Sequence, residues 1–388
     1  MSPTAISSIS DSKSEKFRLP AIAAAMAEPA PILAVKKIAC FISPHGFGHA
    51  TRTIAVLEAL KRLHLDCHAH LFTTVPETLF AASLADFTYH VEPVDIGLVQ
   101  SSALTVDIPA TCAQLDRLLP YSADRLAELG DRCAGCSIIL CDIAPLGIAV
   151  GRLTGITTVL LENFTWDWIY QPYCQKYPEL QRHARFLGNL FQRADYRIQT
   201  EPLCREARRD VVCGPIFRRL RMASDKIRAV LNVGDRSLIL ITLGGIPQQL
   251  PELRRVEEQS DLFFVIAGQP HTEQVAENCL LLQRDTDLSH PDLIGAADLV
   301  VCKAGYSTIA ECCLAGARVL VIGRDDYPES QPLQRYVQRV LAGVPITAEL
   351  YERGGWLPLA RKLLSRQKPA PATENGADRV AAFLSGLM

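Results

Sequence analysis

Two histidines bracket two glycines within positions 45–49, in the stretch Ser-Pro-His-Gly-Phe-Gly-His-Ala-Thr-Arg. Gly46 and Gly48 let the backbone turn tightly and approach a ligand closely. An imidazole at a helix start can act as a general base or meet a phosphate, so His49 and His45 are candidates for either task. A plain strand-to-helix turn with a solvent-facing imidazole fits the same residues. Two further glycine turns end apolar runs, Gly244-Gly245 and Gly305. Such turns aim backbone N–H groups and a helix start at an anion. The first loop does not fit G-x-G-x-x-G, and the Gly244-Gly245 turn is not a Walker loop.

Residues 297–331 carry the densest set of polar groups. Thr308-x-x-Glu311 has capping-box spacing, so one reading has Glu311 cap the helix that starts there. A carboxylate one turn into a helix beside a glycine turn also suits both ribose hydroxyls of a nucleotide. Ser307 and Thr308, at the helix start, would then face its phosphates. The next apolar run leads to Asp325, Asp326, Glu329 and Gln331, whose carboxylates and amide suit sugar hydroxyls. In the first half, Asp107 and Asp167 are rival bases. Trp166 and Trp168 offer rings that stack on a sugar or fill a core. His290, before Pro291, is a further cleft candidate.

The elements that position these groups follow from hydrophobic patterning. Short β-rich runs alternate with helical stretches, which implies parallel sheets covered by helices. After the first loop, Ile54, Leu57, Leu60 and Leu63 recur at helical spacing. The alternation breaks at Cys213-Gly214-Pro215 and restarts at residue 238. The expected organisation is a loose tail over 1–33, a Rossmann-like domain over 34–213, a second over 214–370, and a linker with a final helix over 371–388. A chain of 388 residues suits two domains.

A formal net charge of -2 gives no basic excess for nucleic acid. No apolar run approaches the ~20 residues of a membrane span, while peripheral contact with a membrane surface stays open. Thirteen cysteines, most of them in apolar runs, read as small buried hydrophobes. Cys133-x-x-Cys136 has no second pair to complete a zinc site, so no metal is expected. A reduced, cytosolic setting fits this cysteine usage.

The second half resembles the nucleotide-sugar half of GT-B glycosyltransferases, in the branch that includes the N-acetylglucosaminyltransferase making lipid II. The resemblance rests on a glycine turn followed by E-x-x-x-A-G, here Glu311 to Gly316. It implies that Glu311 holds the donor ribose, that Glu329 and Gln331 meet the donor sugar, and that His49 ends the first loop on the opposite wall. A second resemblance covers most of residues 36–340. It is to the N-terminal, glycosyltransferase-like region of plant L-arabinokinases, through residues 46–52, 102–107, 163–170, 305–311 and 324–330. The phosphate loop of that family's kinase domain, a Pro followed by G-L-x-S-S, does not occur in these 388 residues, so the resemblance carries no kinase activity to them. One departure is the loop start, Ser43-Pro44-His45, where the lipid II enzyme has a Gly-Gly pair.

The resemblance implies an α/β chain with two Rossmann-like, doubly wound parallel-sheet domains facing a cleft. It implies metal-independent transfer of a sugar from a nucleotide-sugar, UDP-linked, to an acceptor that no motif specifies. No cofactor is needed beyond that co-substrate. The expected catalytic residues are His49 and Asp107. The expected donor contacts are Gly46, Gly48, Gly244, Gly245, Gly305, Ser307, Thr308, Glu311, Glu329 and Gln331. Trp166 and Asp167 are expected on the acceptor side. Two other readings use the same residues: a nucleotide-sugar 2-epimerase drawing on Asp325, Asp326 and Glu329, and a non-catalytic sugar-nucleotide sensor or interaction module.

Overall fold

The computed structural model describes residues 35–388 except 101–104, 245–252 and 325. Gly245 and Asp325 therefore lie outside the described residues, as does part of the 102–107 segment.

Strand β1 (Lys36–Ile42) shows why the chain folds as it does. Ala39 and Phe41 are buried on one face, and Ile38, Cys40 and Ile42 on the other. A strand that is apolar on both faces needs helices on both sides, which is the condition of a parallel sheet. The first sheet adds β2 (Cys67–Thr73), β3 (Phe87–Val91), β4 (Ile138–Asp142), β5 (Thr157–Glu162), β6 (Tyr196–Thr200) and β7 (Val211–Cys213). All pairs are parallel, in the order β3-β2-β1-β4-β5-β6-β7.

The second lobe repeats the plan. Its strands are β8 (Ser237–Thr242), β9 (Leu262–Gln269), β10 (Glu273–Ala276), β11 (Cys279–Gln283), β12 (Leu299–Lys303), β13 (Arg318–Ile322) and β14 (Val344–Ile346). The order is β10-β11-β9-β8-β12-β13-β14, parallel except for the β10–β11 edge hairpin. Along β8, Leu238 and Leu240 enter one core, and Ile239 and Ile241 the other.

In each sheet the chain first winds outward and then returns to the far side of its starting strand. The direction of winding reverses between β1 and β4, and again between β8 and β12. Ligands of open α/β sheets bind beyond the strand ends at such switch points. The loop holding His45 and His49 leaves β1, and Gly244 leaves β8, so both sequence candidates lie at switch points. The final helix, Gly376–Ser385, returns to the first lobe. There Ala377, Val380, Ala381 and Leu384 join the core beneath the helix Gly48–Arg62. All thirteen cysteines are free, and most are buried. No described helix is long and apolar enough to cross a membrane.

Candidate active site

The helix Gly48–Arg62 starts directly after the first glycine loop, and its first turn carries His49, Arg52 and Thr53 inward. These three meet Asp142, the last residue of β4, which sits beside Ile42 in the sheet register. His49 Nδ1 lies 2.8 Å from Asp142 Oδ1. A carboxylate only accepts, so the shorter Asp142 contact puts the proton on Nδ1 and leaves Nε2 its lone pair, while Arg52 Nη2, 3.2 Å from the same Nδ1, packs against it without donating to it. Among the described residues Nε2 has no protein partner. Arg52 donates to Asp142 from Nε at 2.8 Å and from Nη2, and Thr53 Oγ1 donates at 3.2 Å. Arg52 Nη1 reaches Asn163 Oδ1 at 3.2 Å.

Asp142 is fully buried, yet it stays ionised. Burial raises its carboxyl, but the Arg52 charge and the bonds from Arg52 and His49 outweigh that and hold it below the usual carboxylate range. Burial lowers the His49 imidazole, Asp142 opposes the shift, and Arg52 adds to it. The net result is a neutral imidazole held in one tautomer by an ionised partner, the arrangement of an oriented general base.

His45 belongs to the same loop. Its ring stands edge-on to Trp166 with centroids 5.2 Å apart. It also lies against Gly97, where an added Cβ would come within 2.6 Å of its Nδ1. Gly97 has φ +61, so both the space and the backbone call for glycine there. His45 is pushed down to about 3, by burial first and then by its neighbours His49, Arg324 and Lys303.

Lys303 and Arg324 come from the second lobe. Lys303 ends β12 and lies over Gly244, whose added Cβ would meet Lys303 Cε at 2.6 Å. Its amine is pushed down to about 8, mainly by burial, then by Arg324, with Glu329 opposing. Arg324 Nη2 donates to Ala304 O at 3.1 Å and to Glu329 Oε1 at 3.2 Å. Its guanidinium lies 3.6 Å from the centroid of the Tyr327 ring. Among the described residues, Glu329 Oε2, Arg324 Nε and the Tyr327 hydroxyl are buried and meet no hydrogen-bond partner. Native interiors rarely leave such groups unpaired, so the three together are candidates to meet a polar molecule.

Glu311 does not cap its helix. The helix Tyr306–Ala315 begins earlier than the capping-box spacing suggests, with Gly305 as N-cap and no side-chain cap. Glu311 is buried one turn in, where Oε1 accepts from Arg218 Nη2 at 2.9 Å and Nε at 3.2 Å. Its Oε2 accepts from His290 Nδ1 at 2.6 Å, and Thr242 Oγ1 lies 2.9 Å from His290 Nε2. Burial raises the Glu311 carboxyl, but Arg218 and His290 more than reverse this and hold it low. Ser307 donates to Gly48 O at 3.1 Å and accepts from Thr51 Oγ1 at 3.1 Å, so the two helix starts abut.

Other expected residues fall elsewhere. Trp166 presents no open stacking face: it is 1% exposed, donates from Nε1 to Asp95 Oδ2 at 3.1 Å, and fills the core. Asp107 caps the helix Ile108–Leu118 through the Ala110 amide at 2.9 Å. Asp167 lies against Gly188 and Arg205. Thr308 makes no cap bond, and Gln331 is exposed at the start of the helix Ser330–Leu341. Gly46 (φ +80) and Gly244 (φ +79) need the left-handed region; Gly48 and Gly305 do not.

The sequence reading missed Asp142, Arg52, Lys303, Arg218, Arg324 and Asp95. A usable signal existed for two of them. Asp142 and Lys303 are single charges closing otherwise apolar strands, Ile-Ile-Leu-Cys-Asp and Leu-Val-Val-Cys-Lys. Asp95 is a buried carboxyl raised to about 7 by burial, against the bonds from Trp166 and Ser43.

Known proteins align with this architecture. Residues 246–348 match the glycosyltransferase family 28 C-terminal domain. L-arabinokinase of Arabidopsis thaliana is 25% identical over 358 residues, which cover 89% of this chain. The chain spans only 34% of that relative's length. Among solved structures, LpCGTa in complex with UDP superposes with a TM-score of 0.59 at 15% identity, covering 91% of this chain and 99% of that one. A UDP-glucosyltransferase from Polygonum tinctorium, capable of glucosylating indoxyl, gives 0.57 at 14% identity, covering 91% and 98%. The family 28 match falls in the second lobe, and the superpositions show that the chain has the GT-B fold.

Proposed function

We propose that this protein transfers a sugar from a UDP-linked donor to an acceptor hydroxyl, with the donor held against the second lobe. The observation that carries the reading is the His49–Asp142 pair at one switch point, across from Gly244, Lys303 and Glu329 at the other. His49 Nε2 removes the acceptor proton as the acceptor oxygen attacks the anomeric carbon. The bond from that carbon to the diphosphate breaks, and the nucleotide diphosphate leaves. Lys303 and Arg324, with the backbone at Gly244, meet the charge developing on the diphosphate, as fixed cations and dipoles do in a site shielded from water.

The ribose is assigned to Glu311 together with His290, whose side chain is 28% exposed where Glu311 is only 2%. Arg218 keeps that carboxylate ionised. The sugar is assigned to the unpaired oxygen of Glu329, beside Gln331. The UDP base is supported by the neighbours that bind it or are named for it.

A thermal-shift panel of UDP-sugars tests the donor assignment, since a ligand that binds only the folded state raises its melting temperature. UDP-linked donors should stabilise the protein, and an absence of shift with every nucleotide overturns the reading. With a responsive donor in hand, His49→Ala should lower transfer by about 10²–10⁴-fold and leave UDP affinity within twofold. Equal loss of both would make His49 a phosphate contact instead.

A further inference from the structure

Arg52 is 1% exposed, one of the largest fully buried side chains in the molecule. The edge of its guanidinium faces Asp142 and Asn163. One of its faces is covered by the ring of Tyr306 from the second lobe, with the guanidinium carbon 4.9 Å from the ring centroid. Tyr306 is itself fixed at its hydroxyl, 2.6 Å from Thr200 Oγ1 and accepting from the Ile216 amide at 3.2 Å. The next residue, Ser307, ties the same helix start to Gly48 and Thr51. The polar path from the second lobe to His49 is therefore continuous: ring, guanidinium, carboxylate, imidazole.

We propose that Arg52 is a positioning residue through which seating of the second lobe sets the state of the His49–Asp142 pair. With Tyr306 in place, the guanidinium is held in the plane that donates twice to Asp142, and the carboxylate is neutralised. His49 then keeps one tautomer and an open Nε2 lone pair. When the lobes part, Tyr306 leaves and water reaches Arg52. The guanidinium then loosens, and the uncompensated Asp142 charge draws a second proton onto His49, which closes the lone pair.

The charged and titratable groups around His49 are few. Arg52 and His45 come from its own segment and Asp142 from β4. Asp95 acts through Ser43, and Tyr306 comes from the second lobe. Glu162, at the end of β5, acts on Arg52. Among these groups, Tyr306 is supplied by the second lobe and sits on the one cation that neutralises Asp142. The coupling makes the base competent only when the cleft is assembled. It adds to the glycosyltransferase reading and takes its functional meaning from it, but the geometry stands without it.

The test uses the full chain with ¹⁵N-labelled histidine, and His49→Gln assigns the His49 signal. Tyr306→Leu removes the ring over Arg52, whereas Tyr306→Phe keeps the ring and removes only the hydroxyl. We expect a single Nδ1–H tautomer in the parent protein. In Tyr306→Leu the tautomers should mix and the titration midpoint should rise by about one pH unit, the size of shift a nearby charge produces. Tyr306→Phe should move it in the same direction by less. An unchanged His49 signal in Tyr306→Leu overturns the coupling, and so does a shift in Tyr306→Phe as large as in Tyr306→Leu. If the leucine variant does not fold, Tyr306→Phe decides: an upward shift supports the coupling and none overturns it. UDP titration of the parent protein reads the donor assignment separately, so failure of one is not mistaken for failure of the other.

Discussion

Lys303 is a residue whose charge responds to solution conditions near neutral pH. Burial and Arg324 bring its amine to about 8, so it is charged at pH 7 and loses its proton as pH rises through that value. On the proposed donor assignment, its attraction for a diphosphate is therefore present below about 8 and lost above it. A bound diphosphate pulls the amine back up, so the decline appears above 8 when UDP is present. Measured between pH 7 and 9.5, UDP affinity should fall with pH, and the slope should flatten in Lys303→Met. A slope that survives in the variant would assign the titration to another group. Glu329 differs in kind. Burial raises its carboxyl against Arg324, and one oxygen meets no partner among the described residues. That combination suits a group waiting for a sugar hydroxyl better than a structural ion pair.

At the scale of elements, the first turn of the helix Gly48–Arg62 carries the proposed base, and the rest of the helix must stay where the sheet puts it. Part of that restraint comes from the far end of the sequence. The helix Gly376–Ser385 packs on Gly48–Arg62, with Leu384 fully buried. Leu384→Ala should cost about 2–5 kcal/mol, the usual range for a buried leucine. Urea unfolding checks the loss, which should appear in the first lobe although the substitution lies after the second in sequence. The strands of the inner sheets were readable because burial on both faces leaves runs such as residues 138–141 and 238–241 with no polar residue. The edge strands were not. β3, β7, β10 and β14 are short and only partly buried, so their residues carry no sustained pattern.

For the whole molecule, the question is whether a ligand joins the two lobes. A UDP-sugar seated between the switch points should slow amide exchange at residues 45–53 and 303–311 together. Protection of 303–311 alone would describe a nucleotide held by the second lobe without reference to the first. Hydrogen exchange with UDP and with UDP-glucose separates the two. The contacts already present favour joint protection. Gly48, Thr51 and Ser307 form one hydrogen-bonded set, and Tyr327 of the second lobe enters a core cluster of the first.

The sequence by itself determined the two parallel-sheet lobes and the glycine turns at their strand ends. It also determined the candidacy of His49, Glu311 and Glu329. These follow from local rules, since alternation, apolar runs and glycine turns are properties of neighbours along the chain. The tertiary structure alone decided which polar groups meet. Asp142 lies 93 residues from His49, and Ser307 lies 259 from Gly48. It also removed Trp166 to the core and gave Asp107 a capping role. Pairing across such separations depends on strand order and lobe contact, which bring charges together only once the sheets have closed. Residue types name the chemistry a group can do, but the partner that sets its charge is fixed by the fold.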